Sequence, residues 1–236
     1  MKEQFQRIEM LLGPEAMRRL EQARVAVFGL GGVGGYAVEA LARSGVGALD
    51  LVDKDEVALS NLNRQILALH STVGRPKAEV AAERVRDINP DCVVTVWQTF
   101  FLPETRNQFD FSQYDYVVDA IDTVAGKLAL IESAKAAGVP VISAMGAGNK
   151  LDPTGFQVAD LFDTRFDGLA RVMRKECRKR GIDRLKVVWS EEDPLAPDTP
   201  EEGNDPGRRS TPGSVAYVPP VVGLILAGEV VKDLAV

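Results

Sequence analysis

The glycine-rich stretch VFGLGGVGG, residues 27–35, follows a short apolar run and precedes a segment with helical periodicity. Gly29, Gly31 and Gly34 fit the GxGxxG pattern, in which glycines form a tight turn between a strand and a helix. The backbone amides of such a turn, together with the N-terminus of the next helix, can face an anionic phosphate. The stretch therefore predicts a nucleotide site, the structural alternative being a tight turn that only packs on the sheet.

Apolar runs rich in β-branched residues alternate with segments of helical periodicity, from the run just before this turn to residue 144. Residues 1–22 are a predicted N-terminal helical extension, with two short helices that break at Gly13-Pro14. The alternation predicts an α/β fold, Rossmann-like, with a mostly parallel sheet and helices on both faces. The predicted strands are 24–28, 48–52, 92–97, 116–119 and 140–144, and the predicted helices are 33–44, 76–88 and 124–137.

The last third of the chain is strongly charged, and the sign of the charge changes along it. Residues 165–186 contain nine Lys or Arg residues against three acidic ones, which predicts a basic helix. Residues 191–205 contain seven acidic residues and three prolines. Because the polar composition continues beyond them, residues 165–213 are predicted to form the basic helix followed by a mobile, acidic crossover loop.

The C-terminal residues are predicted to close the fold. A short strand over residues 214–218 and a helix over residues 221–234 follow the acidic loop. With 236 residues, of which 45% are hydrophobic, the chain can bury a full core. We therefore predict one domain over residues 1–236.

Composition excludes several classes of protein. The net charge of −6 argues against a nucleic-acid binder that is basic over its whole surface, although a local basic face remains possible. Two cysteines and one histidine allow neither a disulfide framework nor a Cys/His zinc site. No run reaches the about 20 apolar residues of a membrane-spanning helix, and the first residues lack a signal-peptide core. We expect a cytoplasmic protein with no membrane segment.

The glycine turn alone does not decide which nucleotide is bound. Asp53 ends the second predicted strand, where a carboxylate can accept hydrogen bonds from a ribose. A turn of this kind followed by such an acid is typical of NAD-dependent oxidoreductases and of dinucleotide sensors. ATP would satisfy the same two features.

Polar and charged side chains on the next loops favour ATP. Asn61, Arg64 and Gln65 form a polar cluster after Asp53, and Lys77 opens the next predicted helix. Arginine and lysine are the usual groups that neutralise the oxygens of a triphosphate. Singly, each residue could be a turn residue, a surface charge or a helix residue. Their spacing along consecutive strand-end loops predicts one shared phosphate site.

A carboxylate past the fourth strand predicts the metal. Asp122 lies just beyond that strand, at the sheet edge where ligands of this fold bind. Magnesium takes few protein ligands and completes its shell with substrate phosphates and water. The alternative for Asp122 is a cap of the following helix.

Residues 29–65, the segment GRPKAE at 74–79 and the segment DAIDT at 119–123 together resemble a known family. They are similar to the adenylating domain of the ubiquitin-activating superfamily and its bacterial sulfur-carrier relatives, over about residues 5–160. The resemblance implies a role in ATP and magnesium binding for a set of residues. These are Gly29, Gly31, Gly32 and Gly34 under the nucleotide, Asp53 on the ribose, Asn61, Arg64 and Lys77 on the phosphates, and Asp122 on magnesium.

Within this superfamily the sequence most resembles the branch that acts on threonylcarbamoyladenosine in tRNA. This implies that a carboxylate of the modified nucleoside is adenylated and then attacked by the neighbouring carbamoyl group, with net loss of water. The basic region 165–186 is expected to contact the tRNA backbone, with a solvated helix face as the alternative. The competing function is activation of a ubiquitin-like sulfur-carrier or sulfur-relay protein.

The resemblance also bears on Arg7 and on the cysteines. Arg7 falls where the superfamily often has an arginine that reaches into the partner subunit's site, which implies a homodimer.

The zinc-binding CxxC pairs and the crossover-loop cysteine of many relatives are missing from this sequence. Basic neighbours of Cys177 would lower its pKa and make a reactive thiol conceivable, while an ordinary helix residue is the favoured interpretation.

Overall fold

The computed structural model describes residues 2–196 and 212–236. In this part of the chain, helices and strands alternate as the sequence predicts, with short 3-10 turns between some of them. The helices are α1 (Gln6–Gln22), α2 (Gly34–Arg43), α3 (Lys77–Ile88), α4 (Val124–Ala136), α5 (Gly168–Lys179) and α6 (Val218–Ala235). The strands are β1 (Arg24–Phe28), β2 (Ala48–Val52), β3 (Val93–Trp97), β4 (Tyr116–Asp119), β5 (Val141–Ala144), β6 (Phe156–Asp160) and β7 (Lys186–Ser190).

The strands form one seven-stranded sheet in the order β3-β2-β1-β4-β5-β7-β6. All neighbouring strands are parallel except β6, which pairs antiparallel with β7. The chain builds the sheet outward from β1 in one direction and then, from β4, in the other. This confirms the Rossmann-like prediction and places a topological switch point between β1 and β4, where ligands of such sheets bind.

Each face of the sheet has its own apolar core. Val25 and Val27 of β1 pack with α2, α3 and α6 on one face. Ala26 and Phe28 point to the opposite face, which α4 and α5 cover. There Phe28 meets Phe101 edge to face, with ring centroids 5.0 Å apart. Because the central strand is buried on both faces, its sequence is a continuous apolar run and not an alternating one.

The N-terminal extension is broken where the sequence predicts. Gly13, in the middle of α1, has a φ of 83° and lies directly before Pro14, so the segment consists of two helices joined by a kink. It packs against α6 outside the sheet. Within residues 2–196 and 212–236, no helix combines the length and hydrophobicity that a bilayer-spanning segment requires.

The last third of the chain differs from its prediction in several places. The basic helix ends at Lys179, and Lys186 already begins β7, because the apolar run of residues 187–189 pairs with β5 and β6. Both β6 and β7 were absent from the prediction. Most of the acidic loop, residues 197–211, lies outside the described residues.

The predicted strand at residues 214–218 is also wrong. Helix α6 begins at Val218, with proline in its first turn, where a missing backbone N–H costs nothing. The residues before it cross the carboxyl edge of the sheet and do not join it. Ser214 accepts a hydrogen bond there from Asn63 Nδ2 at 2.9 Å through its backbone oxygen.

Helix α6 packs against α2 through a glycine. A Cβ atom added at Gly223 would lie 2.2 Å from the Val33 oxygen and 3.0 Å from the Ala37 nitrogen. Five residues later, Gly228 has open space around the same position. The two glycines of one helix therefore have different functions in packing.

We predict opposite effects of alanine at these two glycines. Gly223→Ala should lower the free energy of unfolding by about 3 kcal/mol, since neighbouring backbone atoms must move apart. Gly228→Ala should raise it by about 0.5 to 1 kcal/mol, because alanine has the higher helix propensity. Urea unfolding followed by circular dichroism measures both. Equal effects of the two substitutions would contradict this packing.

Candidate active site

A cleft of about 560 Å³ opens at the carboxyl edge of the sheet, over the switch point. The ends of β1, β2, β4 and β5 and the loops that follow them supply its walls. Nine of the ten residues predicted to bind the nucleotide line this one cleft, although they are far apart in the sequence. They are Gly29, Gly31, Gly32, Asp53, Asn61, Arg64, Gln65, Lys77 and Asp122.

The glycine turn is shaped by close backbone contacts. Gly29 has a φ of 89°, and a Cβ atom there would lie 2.6 Å from the Ala120 oxygen. A Cβ atom on Gly34, which lies behind the turn and outside the cleft wall, would lie 1.8 Å from the Gly29 oxygen. Gly31 differs, because its nearest neighbour is the Gln65 Nε2 atom at 3.8 Å. Gly29 and Gly34 thus build the turn, and Gly31 leaves space in the cleft.

Asp53 is held firmly at the end of β2. Its Oδ2 atom accepts a hydrogen bond from the Leu30 amide at 2.7 Å, and its Oδ1 atom accepts one from the Asp55 amide at 2.8 Å. Burial raises the pKa of the Asp53 carboxyl above its ordinary value, and these two amides and the nearby charge of Lys77 oppose that rise. The carboxylate is therefore oriented toward the cleft by the turn that it supports.

Asn61, Arg64 and Gln65 lie on the loop after β2 and face the cleft from one side. Asn61 accepts a hydrogen bond from the Ala58 amide at 3.1 Å through Oδ1, so it also fixes its own turn. Arg64 is half-buried and donates to the Ser60 oxygen at 3.0 Å. The buried Gln65 Oε1 atom has no hydrogen-bond partner among the described residues. A buried acceptor that is left unpaired at a cleft is a natural partner for a ligand donor.

Lys77 and Asp122 bring opposite charges to the cleft. Lys77 is buried at the start of α3, and its Nζ atom donates to Asp55 Oδ2 at 3.1 Å. Asp122 is exposed on the loop after β4. No group of three or more His, Cys, Asp or Glu side chains in the described part of the chain is arranged to hold a metal ion. A cation at Asp122 would therefore need most of its ligands from a bound substrate.

Several cleft residues were not predicted from the sequence. Phe100 and Leu102 follow β3, residues 145–148 follow β5, and Leu169 and Pro219 reach in from α5 and α6. The first two groups could have been found from the sequence, because ligands of this fold bind at the carboxyl ends of the strands and both groups follow a predicted strand. Leu169 and Pro219 carry no such signal, because their position depends on how distant helices pack. Arg7 is exposed on α1 and does not line the cleft of its own chain.

Comparison with known proteins agrees with this architecture. The ThiF family pattern matches residues 4–235. The chain belongs to the ThiF family. It is 46% identical to a Bacillus subtilis protein named tRNA threonylcarbamoyladenosine dehydratase, over 98% of this chain and 94% of that one. It also resembles solved structures of the E. coli tRNA N6-threonylcarbamoyladenosine dehydratase in complex with AMP and with ATP, each with 37% identity, a TM-score of 0.88, and coverage of 98% of this chain and 93% of that one.

In this ThiF-family chain, Lys127 lies beneath the cleft and not in its wall. Its side chain is 1% exposed, and Nζ donates to Asp119 Oδ2 at 3.1 Å, Ser143 Oγ at 3.3 Å and the Ala144 oxygen at 2.7 Å. Asp119 Oδ1 in turn accepts a hydrogen bond from the Ile121 amide at 3.1 Å. The lysine thus joins the ends of β4 and β5 and steadies the loop that carries Asp122.

The prediction of a lowered thiol pKa at Cys177 is wrong. Its side chain is fully buried in the core between α5 and the sheet. Burial raises the pKa of the Cys177 thiol to about 11, and the charges of Arg180 and Lys135 oppose that rise only in part. Burial raises the pKa of Cys92 to about 11 as well. Neither cysteine of this family member lies in the cleft.

We predict that neither thiol reacts in the native protein. With pKa values of about 11 for both thiols, only about a thousandth of either is ionised at pH 8. A colorimetric disulfide reagent at pH 8 should therefore label almost no thiol before unfolding and two after unfolding in urea. Fast labelling of Cys177 in the folded protein, identified by peptide mass, would contradict its burial.

Proposed function

We propose that this ThiF-family protein is an ATP-dependent enzyme that adenylates the carboxylate of threonylcarbamoyladenosine in tRNA and closes it to a ring with loss of water. The observation that carries the proposal is the convergence of the glycine turn, Asp53, Arg64, Lys77 and Asp122 on one cleft. The names of the related proteins supply the substrate. The ATP and AMP complexes of the E. coli relative support an adenine nucleotide in this cleft.

The cleft residues divide the binding of ATP among them. The amides of the turn after Gly29 and the N-terminus of α2 face the phosphates. Asp53 accepts hydrogen bonds from the ribose hydroxyls, and Gln65 Oε1 gains the donor that it lacks among residues 2–196 and 212–236. Arg64 leaves its contacts with its own loop, which are weak because they are exposed, to bind phosphate oxygens.

The chemistry needs positioning and charge neutralisation more than a protein nucleophile. A carboxylate is a poor electrophile because its oxygen is a poor leaving group. Its oxygen attacks the α-phosphorus of ATP, pyrophosphate departs, and the resulting acyl adenylate can expel AMP. Arg64 and Lys77 stabilise the charge that develops on the departing pyrophosphate. The carbamoyl group of the same nucleoside then attacks the activated carbonyl, and AMP leaves as the ring closes.

Magnesium is part of this proposal. Asp122 is exposed at the cleft and fits a hard cation that is otherwise bound by phosphate oxygens. When bound, magnesium supplies further neutralisation of triphosphate charge. The network of Asp119 and Lys127 holds the Asp122 loop in place.

Exposed basic residues on and around α5 are proposed to bind the tRNA backbone. Lys179 and Arg180 pair with Glu176, and Lys186 pairs with Asp233, so these three are already neutralised. The basic region has five other exposed Lys or Arg side chains, and no carboxylate of residues 2–196 and 212–236 lies within 4 Å of them. These are Arg165, Arg171, Lys175, Arg178 and Arg184. A tRNA substrate also agrees with the cytoplasmic location expected from the sequence.

We further propose a homodimer in which Arg7 serves the partner's site. Arg7 cannot serve its own cleft without movement, because it does not line it. Met10 and Leu11, on the same helix, are 82% and 85% exposed, an unusual exposure for two adjacent apolar side chains. A second copy of the chain would cover them. The alternative to tRNA is a sulfur-carrier or sulfur-relay protein that binds at the cleft.

The main prediction is a change in nucleoside mass. Incubation of tRNA that bears linear threonylcarbamoyladenosine with the protein, ATP and magnesium should yield a nucleoside lighter by one water, together with AMP. Arg64→Ala should lower kcat/KM by about a hundredfold, because transition-state charge loses its partner. Mass spectrometry of digested tRNA and chromatography of nucleotides measure the two products.

Arg86→Ala provides the matched control, since Arg86 is exposed on α3 and does not line the cleft. It should retain full activity, and both variants should keep the stability of the parent protein. Unchanged tRNA mass would refute the dehydratase proposal. ATP-pyrophosphate exchange that requires a carrier protein instead would assign the cleft to the alternative function.

The dimer proposal predicts complementation between two inactive variants. Arg7→Ala and Arg64→Ala homodimers should each be nearly inactive if Arg7 works across the interface. Mixing and re-equilibrating them should recover about a quarter of the parent activity, because half of the dimers then hold one intact site of two. Cyclisation assays before and after mixing measure the recovery. A mixture that stays inactive would place Arg7 outside the partner's site.

A further inference from the structure

Phe166 is an exposed aromatic residue in a strained turn. Its side chain is 69% exposed, and its backbone has a φ of 55°. The Asp167 amide donates to the Arg165 oxygen at 2.5 Å, which closes a γ-turn with Phe166 at its centre. A residue with a Cβ atom is unfavourable in this conformation, and glycine or asparagine is the usual choice.

The fold holds this turn from both sides. Asp167 Oδ1 accepts the Ala170 amide at 2.7 Å, and Asp167 Oδ2 accepts the buried Lys150 Nζ at 3.3 Å. On the other side, the Thr164 hydroxyl donates to the Leu161 oxygen at 2.7 Å. The flanking residues therefore cannot relax, and the strain stays at Phe166.

The strain is not offset by burial of the ring. Phe166 belongs to neither core cluster of the described residues. Strained residues that persist without a packing gain are concentrated at sites that bind ligands.

The surroundings of Phe166 indicate the ligand. Leu169, three residues further on, lines the nucleotide cleft. Arg165 is the preceding residue, and Arg171 and Lys175 are exposed four residues apart, on one face of α5. The turn at Phe166 thus leads directly into the helix that carries both a cleft residue and a row of positive charges. A flexible polyanion that carries unstacked aromatic bases matches both features.

We propose that Phe166 stacks on a base of the tRNA next to threonylcarbamoyladenosine while Arg165, Arg171 and Lys175 bind the flanking phosphates. The inference depends on the proposed function for the identity of the RNA. Specific recognition of single-stranded RNA commonly stacks splayed bases on aromatic side chains, and phosphate contacts fix the register. The rigid turn presents the ring at a fixed distance from the cleft, which positions the modified nucleoside over ATP.

Phe166→Gly and Phe166→Trp test the proposal together. Glycine should relieve the strain and raise the Tm, yet it should increase the KM for tRNA by about tenfold, since a stacking partner is lost. The KM for ATP should stay unchanged. Tryptophan should keep the KM for tRNA near that of the parent, and its fluorescence should be quenched when unmodified anticodon stem-loop RNA is added. Val172→Ala removes an exposed apolar side chain from the following helix, α5, and is the control. It should change neither the KM for tRNA nor the KM for ATP.

Different results separate the possible errors. An unchanged KM for tRNA in Phe166→Gly, with the parent enzyme active, would overturn the stacking role and leave the proposed function intact. Quenching of the Phe166→Trp variant by the stem-loop without any tRNA conversion would support the stacking role and refute the dehydratase reaction. A shift from dimer to monomer in sedimentation of Phe166→Gly would assign the ring to a second copy of the chain and overturn the proposal.

Discussion

The structure depends on a close backbone approach at the switch point of the sheet. The turn after β1 lies so near the loop after β4 that Gly29 has no room for a Cβ atom beside the Ala120 oxygen. The turn is also so tight that Gly34 has no room for one beside the Gly29 oxygen. This approach leaves the amides of the turn facing outward and places the Asp122 loop beside them. Because no side chain separates the two loops, a phosphate chain can contact both at once.

Buried lysine and carboxylate pairs keep the loops around this approach in place. Lys127 joins Asp119 to the end of β5, and Lys150 joins Asp167 to the Ser190 oxygen at 3.1 Å. Burial of such charges costs stability unless the geometry is good and the remaining donors find acceptors. Lys127 has three acceptors, and Lys150 has two. Their benefit lies in fixing the position of the loops. One pair steadies the nucleotide side of the cleft, and the other steadies the start of α5.

The arrangement of charge and thiols suits acyl activation by ATP. Positive groups lie where a triphosphate would enter, while both cysteines are buried with raised pKa values. Covalent capture of the acyl group by a protein thiol would need the opposite arrangement. An intramolecular attack by the substrate itself requires no such group, and it depends instead on how well the RNA is oriented. The exposed surface along α5 is where that orientation can be controlled.

The sequence alone determined the strands β1 to β5, the kink at Gly13 and the meeting of Asp53, Arg64 and Asp122, because apolar periodicity is local and parallel strands end at one edge. It did not determine β6 and β7, which are stable only through pairing with each other and with β5. Nor did it show the burial of Cys177 and Lys127 or the exposure of Phe166. The solvent access of a side chain depends on contacts between residues that are distant in the sequence. Only the tertiary structure therefore decided the pKa values of the thiols, the buried lysine network and the strained turn.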